Sequence, residues 1–197
     1  MVSWAEKSSE EEKWNSVTHS FGFGLFLAFI LCDLTLLERV YSFGASLTLF
    51  LSTAYHSTEN PRKKSLFRML DMASIHLLIS TTSVCYIYNL GGNIWHCVPS
   101  VLVGLACTSF SVLSYGKDFS EKIAVPLYVL AGTLCLVSVL SVKADSGGSL
   151  FYFALGTVVY LLGLLFYLRD YKKWYHTMWH LFVLAAAMIH LAGLGTI

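Results

Sequence analysis

Two histidines stand four residues apart near the start of the last apolar stretch of this sequence, in His176-Thr-Met-Trp-His180. On a helix, residues four apart lie on one face a single turn apart, so both imidazoles can reach the same ion. An ionisable residue inside a membrane segment is a candidate functional residue. Taken alone, the pair is equally consistent with two histidines that meet a membrane interface. The rest of the chain must therefore decide between these interpretations.

Other residues supply chemistry that matches this pair. His56 ends the second apolar run, Ser52 precedes it by one helical turn, and Asp71 is predicted about one turn into the third run. Three neutral imidazoles, from His56, His176 and His180, are a natural set of zinc ligands with a fourth position open to water. Bound zinc makes a water molecule acidic and polarises a carbonyl group. Asp71 could then accept a proton, and Ser52 could assist it by hydrogen bonding.

A further polar group leads into the first apolar run and consists of Glu12, Asn15 and His19. These residues could either lie around the metal ligands or cap and anchor the first helix, and the second role is favoured. His76 and His190 fall on other faces or at other depths. They are predicted to be packing or pore-lining histidines.

The composition indicates an integral membrane protein. Of the 197 residues, 56% are hydrophobic and 13% are charged, and the mean hydropathy is +0.64. Soluble domains carry about 25% charged residues. The net charge of +1 and the lack of a long basic run give no sign of a nucleic-acid partner, so the expected partners are membrane lipids. The five cysteines form no CxxC pair and are expected to be buried thiols.

Seven apolar runs are long enough to cross a bilayer, which takes about 20 residues. They comprise residues 17–37, 40–56, 67–90, 94–115, 123–142, 149–168 and 175–195. The connections between them are short, so the chain is predicted to form a single all-α transmembrane domain over residues 1–197. This fold class is a polytopic bundle of seven helices.

Lysine and arginine predict the orientation of this bundle. With the N-terminus in the cytoplasm and the C-terminus outside, all of the thirteen basic residues except Arg39 and Lys143 fall on the cytoplasmic side. In this topology His56, Asp71, His176, His180 and the group before the first run share one layer near the cytoplasmic face. Independent placements would not be expected to coincide in this way.

The pattern resembles a known family. Ser52-Thr-Ala-Tyr-His56, Asp71 and His176-Thr-Met-Trp-His180 resemble the Ser-x3-His, Asp and His-x3-His motifs of the hemolysin III family. That family is related to the progestin and adipoQ receptors and more distantly to the alkaline ceramidases. The segment from Glu12 through Asn15 and His19 to Gly22 is similar to the family's entry into its first helix. The size of the chain is similar to the bacterial branch.

The resemblance implies a seven-helix bundle with Zn²⁺ near the cytoplasmic leaflet, bound at His56, His176 and His180, with Asp71 and Ser52 beside it. It implies a bacterial inner (plasma) membrane location and a metal-dependent hydrolase that cleaves an amide or ester in a lipid substrate. The alternative is a non-enzymatic sensor, channel or pore-forming cytolytic protein in which zinc is structural. A haem-binding electron carrier is less favoured, because bis-histidine haem generally takes its ligands from two helices.

Overall fold

A computed structural model describes residues 7–32, 34–116, 118–142 and 147–195, although the side chains of residues 118–122 fall outside this description. The described residues form seven helices and no strand. The helices are α1 (Ser9–Leu31), α2 (Leu36–Ser57), α3 (Pro61–Asn89), α4 (Ile94–Ser114), α5 (Asp118–Leu140), α6 (Gly147–Tyr167) and α7 (Tyr175–Leu194). The prediction of an all-helical, polytopic membrane protein is confirmed.

Six of these helices are long and apolar enough to cross a membrane, and α2 is not among them. The physical reason lies in the buried polar residues of α2, which lower its hydropathy although the helix has 22 residues. They include Ser42, Ser46, Thr48, Ser52 and His56. Large apolar side chains cover the outside of the bundle; Leu31, Leu36 and Leu113, for example, are 85%, 76% and 77% exposed. In water such a surface would be unfavourable, whereas lipid tails accommodate it.

The helix ends follow local capping signals. Ser8 and Glu11 form a capping box that starts α1 eight residues ahead of the predicted apolar run, and α1 ends at Leu31. Thr35 and Glu38 form a second capping box at the start of α2. Asn60 caps α3, where Pro61 occupies the first turn and lacks only an N–H that would be unpaired there.

The helix α3 begins before the third apolar run. Asp71 lies one turn after residue 67, where that run begins, and ten residues after Pro61, well inside the helix. The mainly polar segment 61–66 extends the helix from the apolar run to its cap. All five cysteines are free thiols, and four of them are buried as expected, whereas Cys32 at the end of α1 is exposed.

The helices form an incomplete ring. α1 packs on α2, α2 on α3, and α3 on both α4 and α5, while α7 packs on α6 and α1 and also contacts α2 and α3. Among the described residues, α5 and α6 make no close backbone contact. We call the end of the bundle where α1, α3, α5 and α7 begin the entry end. The apolar core, which includes Phe26, Tyr41, Tyr86, Phe153 and Leu191, lies in the opposite half.

Candidate metal centre

The structure brings the three predicted ligand residues together at the entry end. His56 comes from the last turn of α2, and His176 and His180 come from the first turns of α7. One ring nitrogen of each lies within 4.8 Å of the corresponding nitrogens of the others. The ring centroids are 5.1 Å apart for His56 and His176, 4.9 Å for His56 and His180, and 4.7 Å for His176 and His180.

The Nδ1 atoms of these rings lie close to acceptors. Nδ1 of His56 donates to Oε2 of Glu12 at 2.5 Å, and Nδ1 of His180 donates to the Asn15 carbonyl oxygen at 3.1 Å. Nδ1 of His176 lies 3.4 Å from Oδ2 of Asp170. Proteins commonly fix metal-binding histidines in this way, because a bond at Nδ1 sets the tautomer that leaves Nε2 free. Nε2 of His56 is buried and has no hydrogen-bond partner among the described residues.

The residues present therefore fit a metal ion. Without an ion, three buried or nearly buried imidazoles would leave ring nitrogens unpaired. His176 is the most accessible of the three, with its side chain 13% exposed. Zinc binds imidazole nitrogen at about 2.0–2.1 Å. The three rings could therefore hold a single ion between them.

The Nδ1 atoms of His56 and His176 contact carboxylates outside the cluster, those of Glu12 and Asp170. Each carboxylate is paired with a lysine. Glu12 accepts a hydrogen bond from Lys64 at 3.0 Å. Asp170 lies 3.3 Å from Nζ of Lys7. Burial by itself raises the pKa of the Asp170 carboxyl, but the contact with His176 and the charge of Lys7 outweigh it and hold that pKa below its ordinary value. Asp170 therefore stays ionised beside His176 near neutral pH.

Asp170 is a residue that sequence reasoning missed. It lies in the α6–α7 connection, six residues before His176, and its only signal in the sequence is a carboxylate close to the His-x3-His motif. Lys7 is a second contact residue that sequence reasoning missed. Its Nζ also donates to the Asp170 carbonyl oxygen.

The polar group of α1 surrounds the cluster without joining it. Glu12 contacts His56, Asn15 contacts His180 through its backbone, and the His19 ring stacks on the His180 ring with centroids 3.6 Å apart and planes 12° from parallel. Oδ1 of Asn15 accepts a hydrogen bond from Thr177 at 2.6 Å. This helix thus anchors both α2 and α7 around the three rings.

Asp71 and Ser52 are adjacent but stand apart from the close group of ligand atoms. The Ser52 hydroxyl lies near the Asp71 carboxylate. Both residues line the same internal cavity as the three histidines, and Arg68 lines it beside them. A carboxylate is therefore available in the space next to the candidate metal position.

The cavity is long and largely apolar. It has a volume of about 690 Å³ and extends from Glu12 and Lys64 at the entry end to Phe153 and His190 in the opposite half. Between these ends its walls are mainly aliphatic, with Leu78, Ile79, Leu136, Leu161, Leu164 and Val183. Residues of both α5 and α6 line it, and among the described residues these two helices make no close backbone contact.

The fold and the site together define a class of protein, a helical membrane protein with a buried three-histidine cluster beside an internal cavity. The family model of haemolysin-III related proteins matches residues 7–191, and the chain belongs to that family. The chain is 25% identical over 191 residues to Hemolysin-3 of Bacillus cereus, covering 90% of this chain and 87% of that protein. It is also 25% identical over 191 residues to the Hemolysin-3 homolog of Bacillus subtilis (strain 168), with 90% of each chain covered. No solved structure matches.

Proposed function

We propose that this protein is a zinc-dependent hydrolase that cleaves an amide or ester bond in a membrane lipid. The observation that carries the proposal is the position of the three histidines at the polar end of a cavity whose other walls are mainly apolar. A lipid has the same division into a polar head and apolar chains. The gap between α5 and α6 offers such a molecule a path from the bilayer.

His56, His176 and His180 would hold the ion, which when bound supplies a Lewis acid and makes a water molecule acidic near neutral pH. Glu12, Asp170 and the Asn15 carbonyl orient the three rings. Asp71 would accept the proton that the reaction releases, and Ser52 would assist by hydrogen bonding to its carboxylate. Arg68 lies close enough to the same space to favour a polar head group there.

The orientation and the number of spans are part of the proposal. We assign α2 as the seventh span, since its polar residues face the interior and its 22 residues are enough to cross a bilayer. The distribution of lysine and arginine supports an entry end in the cytoplasm. Lys117, Lys122 and Lys143, which contribute to that distribution, lie outside the described side chains. The Bacillus relatives favour a bacterial plasma membrane.

Elemental analysis of the purified protein tests the metal. We expect about one zinc per chain in the wild type and a large loss in His180→Ala, because two imidazoles bind the ion much more weakly than three. His96→Ala, a change of the same type in the first turn of α4, should retain the metal. Equal zinc contents in the wild type and His180→Ala would contradict the assignment.

Turnover of a ceramide-like amide and of a lipid ester tests the hydrolase. Asp71→Asn should abolish most of the activity while zinc content and thermal stability stay close to those of the wild type. An unchanged rate in Asp71→Asn would remove Asp71 as the proton acceptor. Absence of turnover by the wild type on both substrate types would contradict the hydrolase.

One observation favours a second candidate, a non-enzymatic protein in which zinc is structural. The ligand residues and their partners connect α1, α2, α7 and the α6–α7 connection, so a bound ion would stabilise the packing of these segments. In that case removal of zinc should lower the melting temperature strongly, and Asp71→Asn should have no functional effect. Cytolytic or channel activity would then be measured by vesicle leakage.

A further inference from the structure

Another histidine, His190, lines the far end of the cavity. His190 lies on α7 ten residues beyond His180, which corresponds to about 15 Å along a helix. It is 3% exposed and lines the cavity together with Thr157 and Tyr160 of α6. Mainly aliphatic walls separate this position from the three-histidine cluster. A ligand that fills the cavity would therefore contact the two positions with different parts of its structure.

The surroundings of the His190 ring fix its orientation. Nε2 lies 3.1 Å from the carbonyl oxygen of Phe153 and must carry the proton that this acceptor receives. Gly156 leaves space for the ring, because a Cβ atom there would lie 2.3 Å from Cδ2 of His190. The rings of Tyr86, Phe153 and Tyr160 lie with their centroids 5.7 to 5.8 Å from that of His190.

This arrangement leaves Nδ1 of His190 as an acceptor. Because the neutral ring uses its single proton at Nε2, Nδ1 presents a lone pair. Nδ1 is buried and has no hydrogen-bond partner among the described residues. A buried acceptor without a donor is unfavourable, and a donor group on a ligand would satisfy it. An ether or a bare methyl group could not.

We propose that the His190 end of the cavity binds a hydroxyl group carried on the apolar chain of the lipid, remote from the head group. The polar head lies at the entry end and the intervening chain lies against the aliphatic walls. The proposal rests on the proposed function for the assignment of a lipid as the ligand. The hydroxyl selectivity itself follows from the surroundings of Nδ1.

Calorimetric titration of the purified, detergent-solubilised protein with three matched probes tests this proposal. The probes are dodecanoate, 12-hydroxydodecanoate and 12-methoxydodecanoate, whose extended chains are comparable in length to the separation of the two sites. We expect the hydroxylated probe to bind about three- to tenfold more tightly than dodecanoate, as one buried hydrogen bond provides. The methoxy probe should gain less than the hydroxylated probe, because its oxygen lacks a hydrogen to donate to Nδ1.

His190→Gln separates the two roles of the ring, since a glutamine amide can still donate to the Phe153 carbonyl but places no acceptor at the Nδ1 position. We expect this variant to lose the preference for the hydroxylated probe. His96→Gln, outside the cavity, should keep it. The wild-type comparison among the three probes remains decisive even if His190→Gln fails to fold.

Equal binding of the hydroxylated and methoxy probes by the wild type would overturn the proposal, as would a preference that persists in His190→Gln. The hydrolase is tested separately by zinc content and turnover. Loss of turnover in every assay, with the hydroxyl preference intact, would remove the hydrolase and retain this binding position. Turnover without any hydroxyl preference would retain the hydrolase and remove this binding position.

Discussion

The carboxylate partner of His56 gives the metal site its most direct test at the scale of single residues. Glu12 accepts the Nδ1 hydrogen of His56 at 2.5 Å and is itself paired with Lys64. A carboxylate in this position raises the basicity of the ring and holds it in the tautomer that leaves Nε2 for the ion. The contact joins residues that are 44 apart in the sequence, so it depends on how α1 packs against α2.

Glu12→Gln is expected to lower zinc affinity about 10- to 100-fold, the usual cost of losing such a partner. The amide keeps the size of the side chain but is a weaker acceptor and carries no charge. Competition with a chromophoric chelator measures the affinity. Glu59→Gln, in the exposed α2–α3 connection, is the matched control and should bind zinc as the wild type does. Similar affinities for the two variants would show that Glu12 only anchors the helix.

Asp170→Asn is expected to weaken zinc binding in the same direction, since it removes the negative charge 3.4 Å from Nδ1 of His176. Lys7→Met should have a smaller effect, because the lysine acts on His176 only through Asp170. Zinc affinity of the two variants in the same chelator assay measures this order. A larger loss in Lys7→Met than in Asp170→Asn would contradict it.

At the scale of helices, a side chain from the first turn of α1 caps the start of α7. Trp174, the residue before α7, has φ 68° and provides no side-chain cap. Its backbone N–H instead donates to Oε1 of Glu11 at 2.9 Å, and Glu11 is 8% exposed. The start of the helix that carries His176 and His180 is therefore set by a residue 163 positions earlier.

Glu11→Ala should destabilise the protein by about 1–2 kcal/mol, because it leaves the Trp174 N–H unpaired and also breaks the capping box with Ser8. Glu10→Ala is the matched control. Glu10 is exposed, and its ion pair with Lys173 at 3.6 Å contributes little. Thermal unfolding in detergent and amide hydrogen exchange in the first turn of α7 measure the effect. Equal melting temperatures for the two variants would contradict the capping role.

Sequence patterns predicted the helices better than their connections. Apolar runs and the spacing of His176 and His180 identify α7 closely, since both depend on helical periodicity alone. The apolar runs do not include the first residues of α1 and α3, because a helix can continue into polar residues beyond the part that contacts lipid. Asp170 escaped notice since a carboxylate in a connection has no periodicity, and its approach to His176 follows from the path of the loop.

At the scale of the whole molecule, the cavity is the feature that hydropathy could not predict. Residues that face lipid and residues that face the cavity are both apolar. No sequence pattern therefore distinguishes the exposed Leu162 from Leu164, which lines the cavity, or reveals that α5 and α6 make no close backbone contact among the described residues. The convergence of polar residues from four segments was predictable from topology. The empty space beyond them depends on the packing of all seven helices.

Gly132 of α5 allows the role of this space to be tested without disturbing the metal site. It lines the cavity, and a Cβ atom built there would meet nothing within 4 Å. Gly132→Leu should therefore fold and should fill part of the volume next to the aliphatic walls. If lipid must enter the cavity, turnover should fall at least about tenfold, because a displaced substrate loses its alignment with the metal and Asp71. Zinc content should be unchanged.

Gly24→Leu supplies the control for this experiment, because Gly24 also has open space around it but lies on the outer surface of α1, away from the cavity. The two variants add the same side chain to a membrane helix and differ in whether the added volume lies inside the bundle or in the lipid. Lipid turnover and zinc content of both variants, measured beside the wild type, decide the matter. A loss of activity in Gly132→Leu alone would support entry of the substrate through the bundle, and equal activities would place the reaction outside this cavity.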